Sequence, residues 1–78
     1  MSGMLWLIKE DVVQSLEKAL IFFSAKYGFN PIRIEVNPIH DIMLLHNIPV
    51  VHNKRIQSTN AWLIMDEEEE NGDITYER

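Results

Sequence analysis

The sequence predicts an α+β domain: a small three- to four-stranded sheet, one long amphipathic helix packed on one face, and a second short helix. Three observations carry this. A helical apolar stripe occupies residues 10–27, alternation occupies 32–36, and short β-branched or apolar runs occupy 48–52 and 61–65. The expected order is (β)–α–β–α–β–β.

Met4 to Ile8 is a short apolar run that suits a buried strand or an extended arm. Glu10 and Asp11 are expected in the first turn of the long helix, where the dipole favours acids. Val13, Leu16, Leu20, Phe23 and Tyr27 follow at spacings of 3, 4, 3 and 4, which puts them on one face. Val12 and Ala19 widen the stripe. Lys26 complements the C-terminal end of the dipole, and Gly28 suits the left-handed position that ends a helix.

Ile32, Ile34 and Val36 alternate with Arg33 and Glu35, the pattern of a half-buried strand. Asn37-Pro38 looks like an N-cap followed by a first-turn proline, so 39–46 is expected to be the short helix. Ile48 to His52 is β-branched with a proline near its start, which suits an edge strand or a strand beginning. Residues 56–60 are polar, a weak strand or a loop. Ala61 to Met65 is apolar at every position and reads as a central strand.

Charge divides the chain. Residues 1–65 hold six Lys/Arg and five Asp/Glu, a net of +1. Residues 66–78 hold seven acids and one arginine, a net of −6. The reading is one globular domain over 1–65 and an acidic, flexible tail over 66–78. That tail would keep the protein soluble or tune its choice of partner. The chain has no cysteine, which excludes disulfides, thiolate metal sites and a Cys nucleophile. A small domain without disulfides suits the cytoplasm. No apolar run is long enough for a membrane span, and no signal peptide is read at the N-terminus.

Chemistry-bearing residues are few. His40, Asp41, His46 and His52 are the candidate metal ligands, but zinc needs convergent groups. His40 and His46 are six apart, about 240° around a helix, so no metal site is expected. Ser2, Ser15, Ser24 and Ser58 lie in no nucleophile elbow. The three glycines form no phosphate loop. Neither an enzyme nor a cofactor is expected.

Two binding surfaces stand out. Trp6, Ile21, Phe22 and Trp62 are large apolar groups that a thin sheet with one helix leaves partly outside, which points to a protein partner or a homodimer. Arg33, Lys54 and Arg55 could form an anion or nucleic-acid patch, although a body charge of +1 leaves the phosphate term small. Ile34-Glu35-Val36-Asn37-Pro38, Ile48-Pro49-Val50-Val51 and Trp62-Leu63-Ile64 loosely resemble a strand–short helix–strand–strand segment of phage-type structural proteins. The resemblance makes a phage or mobile-element accessory protein an alternative and carries no functional residue across.

Overall fold

A computed structural model describes residues 2–66. The elements are β1 (Ser2–Leu7), α1 (Val12–Tyr27), β2 (Arg33–Val36), β3 (Leu44–Leu45), β4 (Ile48–His52) and β5 (Asn60–Asp66). They form a five-stranded sheet in the order β1-β5-β2-β4-β3. The α+β class is as expected. The sheet has one strand more than expected, and the second helix is absent among the described residues.

The long helix starts later than its acids suggest. Asp11 is its N-cap and accepts a hydrogen bond from the Gln14 N–H at 3.0 Å, so neither Glu10 nor Asp11 lies in the first turn. Gly28 ends it at φ 83°, and its N–H reaches the Ser24 carbonyl. The buried face is Ser15, Leu16, Ala19, Leu20 and Phe23. Val13, expected on that face, is partly exposed. Phe23 is fully buried and meets the rings of Tyr27 at 4.7 Å and Phe29 at 5.9 Å.

The Asn37-Pro38 signal is used differently. Asn37 Oδ1 accepts from the Ile39 N–H, and the Asn37 carbonyl accepts from the His40 N–H. That is a side-chain-stabilised turn, and it goes no further. The other amide group of Asn37 donates to the Ile56 carbonyl at 2.8 Å, tying this loop to the next one. Residues 44–52 then make a tight hairpin. His46 and Asn47 take φ 50° and 67°, the mirror-image turn that suits strand twist. Leu45 pairs with Ile48, and Leu44 with Pro49.

The hairpin settles strand orientation, which the sequence leaves open. β2 and β4 are parallel, but β3 lies beyond β4 rather than between them. The chain passes over to the far edge and returns through β4. Pro49 sits one residue before the β2–β4 ladder begins at Val50, so its missing N–H costs that ladder nothing.

β5 is central, as expected. It runs antiparallel to both β1 and β2. β1 and β2 are therefore parallel, joined by α1, with the last described strand inserted between them: a split β–α–β unit. The expected tail over 66–78 lies outside the described residues, except Asp66, which ends β5.

Strand side chains alternate between faces. Ile34, Val36, Leu45, Ile48, Val50, Ala61 and Leu63 share one face and form a single core with Leu16, Ala19, Leu20 and Phe23 of α1. Met4 and Trp6 pack against it. Burial of these groups at ~25 cal/mol per Å² is the main favourable term in folding.

Candidate interaction surface

Among the described residues no helix lies over the other sheet face. Pair partners on a sheet share a face, which places Gly3, Leu5, Leu7, Arg33, Glu35, Pro49, Val51, Trp62 and Ile64 there. Loop residue Ile56 shelters part of this face beside Trp62, Glu35 and Asn53. The remainder is open. Leu5 is 48% exposed, Leu7 55% and Trp62 38%. Val51 is exposed as well.

The expected apolar residues fall on two sides of the molecule. Trp6 points to the helix side and packs against Phe22 of α1, with ring centroids 5.4 Å apart. Phe22 stays half exposed, and Ile21 is 70% exposed. Trp62 lies on the opposite sheet face, beside Leu5. The four therefore do not make one patch. β1 lies between the two sides, because its alternate residues contribute to both. Leu5 and Leu7, absent from the expected set, belong with Trp62. Their signal was present as alternation with Met4 and Trp6, but a uniformly apolar run hides it.

The expected cations are not equivalent. Arg33 Nε donates to Glu35 Oε2 at 2.8 Å, with both side chains largely buried. Glu35 Oε1 also accepts from Asn53 Nδ2 at 3.1 Å. Arg33 thus holds a carboxylate on the open face. Lys54 and Arg55 are exposed on the turn after β4.

The histidines are separated. His40 Nε2 lies 2.6 Å from the Ser58 carbonyl, His52 Nε2 lies 3.2 Å from the Ile42 carbonyl, and His46 Nε2 lies 3.1 Å from Glu17 Oε2. His46 sits in the β3–β4 turn, not at a helix end. Among the described residues no three His, Asp or Glu side chains come together as a metal site would need. Ser15 is buried and accepts from the Lys9 N–H at 3.1 Å, a structural role at the start of α1.

A groove of about 450 Å³ runs between β1 and the first turns of α1, lined by Leu5, Trp6, Leu7, Gln14, Ser15 and Lys18 among others. It follows the outer edge of the sheet. No helix among the described residues is long and apolar enough to cross a membrane. No family model, curated protein or solved structure matches the chain.

Proposed function

We propose that this chain is a small, non-catalytic protein-interaction module that associates with a second copy of itself. The observation that supports this reading is a sheet that, among the described residues, a helix covers on one face only. The other face leaves Leu5, Leu7, Val51 and Trp62 open to water. Leu5, Leu7 and Trp62 adjoin across the β1–β5 pair, with Glu35 standing between Trp62 and Val51, and an exposed apolar cluster on so small a body marks an interface. A cysteine-free chain with an acidic terminus fits a cytoplasmic setting.

Sedimentation equilibrium over a wide concentration range tests the proposal. The expected result is a concentration-dependent dimer, weakened by Trp62→Ser in a chain that keeps its helical signal. A protein that stays monomeric at the highest concentration reached would remove the self-associating reading.

A further inference from the structure

We infer that two copies join edge to edge through β1, antiparallel about a two-fold axis at Leu5, to make one continuous ten-stranded sheet. The inference rests on the self-association reading and places the seam at the β1 edge, beside Leu5, Leu7 and Trp62, with Val51 of β4 outside it.

The backbone of β1 supplies the first argument. The Ile8 N–H donates to the Thr59 carbonyl at 2.8 Å. Backbone polar groups alternate in direction along a strand. Ile8, Trp6 and Met4 therefore turn their groups toward β5. Leu7, Leu5 and Gly3 turn theirs outward, along an edge with no further strand among the described residues.

Natural edge strands are usually guarded by a charge, a proline or a strong irregularity. From Gly3 to Ile8 this edge has no charge and no proline. Its one register shift lies at the far end, between Ser2 and Gly3. The other sheet edge, β3, has only two residues. β1 is thus the edge long enough to accept a strand.

The edge is self-complementary, as pairing with a second copy requires. A two-fold interface must pair the same segment with itself. Centred on Leu5, the outward residues meet outward residues: Leu5 faces Leu5, and Gly3 faces Leu7. Each of the three gives one donor and one acceptor. With three donors from each copy, six main-chain bonds form and none of the three residues is left over. Moving the axis toward Leu7 would bring Lys9 opposite Gly3, but the Lys9 N–H already serves Ser15.

The side chains agree with this register. On the open face Leu7 of one copy would lie over Gly3 of the other, a position without a side chain. There it would meet Trp62, whose Cε3 borders the space above Gly3. On the helix side Met4 of one copy would pair with Trp6 of the other, beside the groove along β1. Met is well suited to fill an irregular gap.

Charge is consistent too. Asp66, from which the acidic terminus continues, pairs with Ser2 at one end of β1. The two-fold axis sends the two Ser2 ends in opposite directions. The two Asp66 residues thus lie toward opposite ends of the seam rather than facing each other.

The test uses the full chain and two variants of the same residue. Leu5→Pro removes an outward N–H at an edge, where proline is tolerated within the monomer. It should keep the circular-dichroism spectrum of the parent and raise the dimer dissociation constant by about tenfold or more. Leu5→Cys places one thiol at the axis, in a chain that otherwise has none. Directly opposed residues lie ~5.5 Å apart between Cα atoms, within disulfide reach. Under mild oxidation it should cross-link about tenfold faster or more than Ile39→Cys, placed on an exposed loop.

If the parent is monomeric throughout, self-association itself fails and this geometry falls with it. If the parent dimerises but a folded Leu5→Pro chain dimerises equally well, only the edge pairing is overturned. A Leu5→Cys rate no higher than that of Ile39→Cys also overturns it, whether or not Leu5→Pro folds.

Discussion

The indole of Trp62 borders the space that a side chain on Gly3 would need. A Cβ built on Gly3 would lie 3.2 Å from Trp62 Cε3, 3.1 Å from the Leu63 carbonyl oxygen and 3.3 Å from Ile64 Cδ1. Two of these atoms belong to side chains that can shift, and one is backbone. Gly3→Val should therefore crowd the β1–β5 pair and push the indole outward. The expected cost is about 1–3 kcal/mol. Urea unfolding followed by tryptophan emission, in a Trp6→Phe background, would show a lower midpoint and a red-shifted native spectrum.

Asp11 offers a cleaner test of local structure. Its carboxylate accepts the Gln14 N–H, and the residue is exposed. Asp11→Ala should lower stability by about 1 kcal/mol, and Asp11→Asn should restore most of it. Equal losses in both variants would mean that charge, rather than capping, is what matters there.

Asn37 joins two loops with one amide. Its Oδ1 accepts from Ile39, and its Nδ2 donates to Ile56. Asn37→Asp keeps the first bond and sets a carboxylate oxygen against the Ile56 carbonyl. Asn37→Ala loses both. Each should cost about 1–3 kcal/mol, with Asp no better than Ala. A fully stable Asn37→Asp chain would show that the link to Ile56 contributes nothing. Midpoints of thermal unfolding at neutral pH would report either outcome.

Leu63 and Trp62 are neighbours on β5 and face opposite ways. Leu63 is fully buried under α1, while Trp62 is 38% exposed. Leu63→Ala should cost about 2–5 kcal/mol, the usual range for a core leucine. That would leave a chain this small barely folded. Trp62→Ala should cost the isolated chain less, because only part of the indole leaves contact. Urea titrations of both variants at a dilution that keeps the chain monomeric make the comparison.

Much of the fold was legible in local pattern. The stripe from Leu16 to Phe23, the glycine stop at residue 28 and the alternation of Ile34 and Val36 all carry through to the structure. The central place of Ala61 to Met65 followed from its apolar character on both faces. The short helix at 39–46 did not materialise, because Asn37-Pro38 starts a turn as readily as a helix and the following residues never pack against the core as one. The hairpin was hidden because His46-Asn47 lacks the glycine that usually announces such a turn. The surface was legible only in part. Trp62 stood out by size, but its neighbours Leu5 and Leu7 come from the opposite end of the described chain. Only strand pairing brings them together.

The position of β5 has a consequence for how the chain is made. The strand that separates β1 from β2 is the last of the described strands to be synthesised. Until the ribosome has released it, Trp6 and Ile34 have no neighbour on the strand that will later join them. Until β5 emerges, the side of β1 that will pair with it stays open. Pairing across so long a stretch of sequence is also a slow step. The window for unwanted strand pairing thus closes only when β5 takes its place between β1 and β2.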